Sequence, residues 1–112
     1  MLNNPTFFPM QITKLKEASS VPTDINGKIM WKGQDVEVIH LTLQPGKIIP
    51  AHSNPFDVVF YAIEGEAMLD CDKEQCLLEA NSCTRVASGT QRGLENKSEK
   101  DFKVLVIKLL AH

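Results

Sequence analysis

The sequence has no long apolar run, no excess of positive charge, no sustained helical periodicity and few aromatic residues. Each shortage removes a class of protein. The longest uninterrupted apolar stretch runs from Val58 to Ile63, far below the ~20 residues that a membrane-spanning helix needs, so no membrane partner is expected. Lysine and arginine number 12 against 14 acidic residues, for a net charge of −2. A chain so balanced carries no stripe of cations for phosphate contacts, and nucleic acid is not an expected partner. The opening MLNNPTFFPMQITKLKEA has no basic segment followed by an apolar one. No signal peptide is read there, and a cytoplasmic location is expected. Cysteine is scarce: only Cys71, Cys76 and Cys83. Without a secretion signal they do not read as a disulfide framework. No CxxC pair or nearby histidine completes a zinc site. They are read as small apolar side chains. Cys71 and Cys76 flank the stretch 72–75, an expected hairpin tip that would set them facing each other across two strands.

What is present is a chain of 112 residues, 43% apolar and 23% charged. That length suits one domain with one core. Residues 1–24, broken by Pro5, Pro9 and Pro22, read as an N-terminal arm. Within it, 12–18 is either an arm strand or one short helical turn. Residues 25–112 read as a single domain, because short apolar stretches there alternate with turn residues. This is the pattern of an all-β sandwich or barrel. Strands are predicted at 28–31, 36–43, 47–52, 56–63, 66–71, 76–79, 83–87, 91–96 and 102–110. In the last, Val104 and Val106 point to one face while Leu105, Ile107 and Leu109 point to the other. Apolar residues on both faces imply that both are covered. One cover is the interior. The other is a second layer or a partner subunit, and a homodimer is expected.

Two segments carry a recognisable spacing. Gly46 to Gly65 reads GKIIPAHSNPFDVVFYAIEG, and Asn81 to Asn96 reads NSCTRVASGTQRGLEN. The first resembles the cupin motif G-x5-H-x-H-x(3,4)-E-x6-G. Its opening Gly falls on Gly46, its first His on His52, its second on Asn54, its Glu on Val58 and its closing Gly on Gly65. The second resembles the partner motif G-x5-P-x-G-x2-H-x3-N. There Asn81 stands for the first Gly, Ala87 for the Pro, Gly89 for the middle Gly, Arg92 for the His and Asn96 for the Asn. The resemblance to the cupin family covers about 25–110. It implies a double-stranded β-helix, a jelly-roll barrel whose sheets protect each other's edges. Glycines at the framework positions permit turns with positive φ.

The family's metal ligands are mostly replaced. Only His52 keeps a strong ligand; Asn54 offers a neutral carbonyl and Val58 offers nothing. Arg92 brings a permanent positive charge, which about 4 Å from a divalent ion opposes it by several kcal/mol. The expected pocket therefore holds no cofactor. It takes a small polar or anionic molecule, such as one with a carboxylate, a phosphate or a sugar oxygen. The competing arrangement turns Arg92 away to pair with Asp57 or Glu95. His52 is the candidate catalytic residue, since imidazole titrates near neutrality. Arg92, Asn54, Phe60 and Asp57 are the candidate ligand-binding residues. Phe60 shares the inward face with Val58, and Tyr61 the outward one. Asp57 should face away unless a bulge re-aims it. A divalent metal at His52, with Asn54, Asp57 and His40, is the alternative ligand set. Three functions remain open: a metal-free binding module, an enzyme that uses His52 or an altered metal site, and a structural dimer with a filled barrel.

Overall fold

Alternation of buried and exposed side chains builds the sheets. The structure, a computed structural model, describes residues 10–23 and 25–110. A single 3-10 turn, Leu15–Glu17, precedes the strands, so the arm holds the short helical turn rather than a strand at 12–18. The strands are β1 (Ser19–Ser20), β2 (Gly27–Lys32), β3 (Val36–Leu43), β4 (Ile48–His52), β5 (Asp57–Glu64), β6 (Glu66–Cys71), β7 (Glu74–Glu79), β8 (Cys83–Val86), β9 (Arg92–Glu95) and β10 (Phe102–Leu109). They form a six-stranded sheet in the order β1-β2-β3-β10-β5-β8 and a four-stranded sheet in the order β4-β9-β6-β7. All pairings are antiparallel.

The period of two decides which residues meet. Ile39, Leu41 and Leu43 of β3, Val58, Phe60 and Ala62 of β5, and Phe102, Val104 and Val106 of β10 are buried. They pack against Ala67 and Leu69 of β6, Leu78 of β7 and Leu94 of β9 in one core. The outer face of the six-stranded sheet is also apolar. Register aligns Trp31, Val38, Ile107 and Val59 in one row and His40, Leu105 and Tyr61 in the next. Trp31, Tyr61 and Leu109 are exposed, while Val38, Leu105 and Ile107 are half-buried. Among the described residues no second layer covers this face.

The motif's framework residues serve the turns. Gly65 sits at φ 77°, and a Cβ there would overlap the carbonyl oxygen of Asp101. Only glycine fits that junction between β5 and β6. Asn81 holds the motif's first glycine position at φ 67°, which asparagine tolerates better than most side chains. Asn96 is 0% exposed. Its Nδ2 donates to the carbonyls of Leu43 at 2.8 Å and Lys100 at 2.7 Å. Its Oδ1 accepts from Ser98 N–H at 2.9 Å and Ser98 Oγ at 2.7 Å. One side chain thereby ties the end of β9 to β3 and to the loop before β10.

The β6–β7 hairpin corrects one expectation. Cys71 pairs with Glu74, and Cys76 with Leu69. The turn is the two residues Asp72 and Lys73, with Asp72 at φ 51°. It is tighter than a tip spanning 72–75, so Cys71 and Cys76 do not face each other.

Candidate functional site

Proline and glycine shape the site before any charged group enters it. Pro50 lies inside β4 and has no N–H to give the ladder. The β4–β9 register is regular from Ile48 to Ile49, then shifts before His52 meets Arg92. In an unbroken strand, residues 49 and 52 would face opposite ways. The irregularity brings Ile49 and His52 to the same cavity, as bulges do. Gly93 permits the close approach, since a Cβ there would sit 2.8 Å from the carbonyl oxygen of Ile49.

The cavity between the two sheets has a volume of about 270 Å³. His52, Asn54, Phe60 and Arg92 line it together, and its walls are otherwise largely apolar. Among the described residues this space is not filled by side chains, in contrast to the packed interior of the structural reading.

Arg92 is 5% exposed. Its Nη1 donates to the carbonyl of His52 at 3.1 Å and to Asn54 Oδ1 at 2.8 Å. Its guanidinium carbon lies 6.0 Å from the centroid of the Phe60 ring, at the edge of cation–π range. Nε is buried and has no partner among the described residues. The ion pairs of those residues do not include Arg92. Burial draws its pKa down, opposed by the Cys71 sulfur, and the guanidinium still keeps its charge at neutral pH. Arg92 thus pairs with neither Asp57 nor Glu95. Cys71 is itself pushed up, first by burial and then by Cys76 and Asp72, which keeps its thiol protonated and weakly nucleophilic.

His52 stands exposed at the mouth, with Nδ1 3.0 Å from the carbonyl oxygen of Pro50. A carbonyl only accepts, so Nδ1 is the donor, and in the neutral imidazole Nε2 is the acceptor. Asn54 turns its amide oxygen to Arg92, and its backbone carbonyl accepts Gly89 N–H at 2.9 Å.

Asp57 does not belong to the site. It starts β5 on the outward face, where Oδ2 binds Arg85 Nη1 at 2.8 Å and Oδ1 accepts Ser88 N–H at 2.9 Å. No bulge re-aims it, because the β5–β8 register is regular from Val58 onward. His40 also lies on the outer face, in the row of Leu105 and Tyr61. The ligand set of His52, Asn54, Asp57 and His40 is therefore not assembled.

The remaining residues do not fit a divalent cation. Val58, at the motif's Glu position, is 1% exposed and packed in the core. The Asn54 oxygen is taken by a guanidinium. Among the described residues no three of His, Cys, Asp and Glu come together as a ligand group.

Sequence reasoning missed several lining residues. Lys108 faces inward beside Val58, with Nζ 3.3 Å from Glu37 Oε1. Its signal was the alternation in β10, which puts 108 on the face of Val104 and Val106. Val21, Thr23 and Ile25 also line the cavity. The arm therefore continues into the barrel across a boundary drawn at 24, with Ser19 and Ser20 pairing to β2.

A comparison with protein families matches residues 39–108 to the cupin domain. The chain is a cupin. Solved cupin-like structures share its fold. A Thermus thermophilus protein, TT1209, is 25% identical with a TM-score of 0.76, over 89% of this chain and 97% of that one. KdgF from a Halomonas species is 18% identical with a TM-score of 0.74, over 85% and 88%. The polyketide cyclase RemF from Streptomyces resistomycificus is 10% identical with a TM-score of 0.80, over 91% and 80%. At the last two identities the likeness to this cupin is one of fold. A comparison with curated proteins found no match. Among the described residues of this cupin, no helix is long and apolar enough to cross a membrane.

Proposed function

We propose that this cupin binds a small molecule without a metal, holding a polar or anionic group of that ligand against Arg92 inside the barrel. One observation carries the reading: a buried guanidinium lines the cavity and, among the described residues, bonds only to neutral oxygens. A buried charge without a counter-charge is held at a cost of several kcal/mol, which a bound anion offsets. Asn54 holds the guanidinium in place, and Phe60 supplies a ring beside it.

The test combines metal analysis with thermal denaturation. Protein purified without chelator is expected to hold far less than one transition metal per chain, and EDTA to leave its melting temperature unchanged. Small anions should raise that temperature, and Arg92→Gln should remove the rise. Stoichiometric metal that EDTA strips with loss of stability would overturn the reading.

A second reading makes His52 a general base. The observation favouring it is the Nδ1 contact with Pro50, which leaves Nε2 free at the mouth. In that case His52→Asn would retain ligand binding and abolish turnover. Equal loss of both would assign His52 to binding alone.

A further inference from the structure

We infer that the ligand is an amphipathic monocarboxylate of about nine non-hydrogen atoms, its head at Arg92 and its tail directed along the barrel toward Leu94 and Leu41. This rests on the anion-binding reading of the same cavity and names the ligand class.

The polar and apolar groups are separated along the strands. Arg92 meets His52 across β4 and β9, with Asn54 bound to Arg92. Lys108 meets Glu37 across β10 and β3 at the same end. Two residues further along β9, β10 and β3, the lining becomes Leu94, which pairs with Ile49, together with Val106 and Ile39, and then Leu41 with Gly27. A molecule that fills this space has a polar head and an apolar tail. A sugar, polar all round, would leave its hydroxyls unpaired against the aliphatic half, which costs affinity for each one.

Charge sets the head. Lys108 is balanced by Glu37 at 3.3 Å, and Asp57 is engaged outside by Arg85. Among the described lining residues, Arg92 is left as the cation without an acidic partner. A single carboxylate neutralises it. A second carboxylate on the tail would be desolvated among Leu41, Ile49 and Leu94. Size follows from the volume. A cavity of about 270 Å³, at the ~30 Å³ that one water occupies in the liquid, holds about nine non-hydrogen atoms.

Heptanoate has that size and is the probe. Calorimetric titration of the full chain would compare it with heptan-1-ol, pimelate, shorter and longer fatty acids, and inorganic phosphate. Heptanoate is expected to bind at least about tenfold more tightly than the alcohol or the diacid, given the charge-assisted bond to the head. From propanoate upward the affinity should rise about fourfold per methylene and stop rising near heptanoate. Glu37→Gln, which frees the charge of Lys108, should tighten heptanoate several-fold. Tighter binding of pimelate or phosphate than of heptanoate overturns the monocarboxylate while leaving an anion pocket. Equal binding of alcohol and acid, or no binding of any anion, overturns both. The probe series uses the unaltered chain, so it does not depend on a variant's folding.

Discussion

Replacing Asn96 with alanine tests how the site is held, because this side chain clamps the strand that carries Arg92. Asn96 is 0% exposed, and among the described residues its side chain makes four hydrogen bonds of 2.7–2.9 Å, to Leu43, Lys100 and Ser98. The contact to the Leu43 carbonyl is buried throughout, so its loss leaves that oxygen without a partner. At a net ~1 kcal/mol per bond, with the two to Ser98 counted as one because that residue reaches water, Asn96→Ala should destabilise by about 3–4 kcal/mol. For a domain of this size that lowers the melting temperature by roughly 12–16 °C. Urea denaturation followed by circular dichroism measures the free energy directly. Asn96→Asp adds a sharper check. It keeps an acceptor for Ser98 but turns an oxygen toward two carbonyls. Burial and those carbonyls raise the new carboxyl's folded pKa above its unfolded value near 3.9. The stability of that variant is then greatest below about pH 4 and falls as pH rises through the folded pKa. A loss under 1 kcal/mol for Asn96→Ala, or an Asp variant insensitive to pH, would refute the clamp.

Three further outcomes are expected. His40 has its pKa lowered, first by burial and then by Lys103. Its neutral form therefore supports the fold above the unfolded value near 6.5, and that support is lost as pH falls through the lower folded value. Denaturation midpoints should drop between pH 7 and pH 5, less steeply in His40→Gln; identical slopes would count against it. The double substitution Val58→Glu with Arg92→His should create cobalt binding with His52, visible as d–d absorption, at some loss of stability for the charge placed at a 1% exposed position. Finally, Trp31, Val38, Val59, Tyr61, Leu105 and Ile107 form a patch rimmed by Lys28, Arg85 and Asp57. Such an apolar centre with a charged rim suits a second copy of this chain. Sedimentation should give a dimer that Ile107→Lys converts to a monomer, and a monomeric parent protein would refute it.

The strands and the motif framework were legible because both are local. Period-two burial in Val36–Leu43 and Phe102–Leu109 can be read from the letters alone. The positive-φ positions Gly46, Gly65, Asn81 and Gly89 coincide with motif sites. Non-local features were less legible. Pro50 passed unread inside the strand predicted at 47–52, and only the partner strand shows that Ile49 and His52 end on one side. Asp57 was a fair candidate by proximity to His52, until Arg85 on β8 claimed it. Lys108 is separated from Val58 by 50 residues of chain, and its inward direction followed from a parity that was extended only as far as Val106. The thiols 71 and 76 were misaligned because a two-residue turn and a four-residue turn place their flanks differently.

Val21, Thr23 and Ile25 close one side of the container, though the family match begins after them. They are secured by a few short-range bonds, Val21 N–H to the Gly27 carbonyl and Gly27 N–H to the Ile25 carbonyl among them. A chain trimmed to start at β2 would lose only β1 from the edge of the six-stranded sheet yet have a window in its flank. Trimming that removes Val21, Thr23 and Ile25 therefore edits the cavity wall itself, and should be judged by what it opens rather than by whether the barrel still folds.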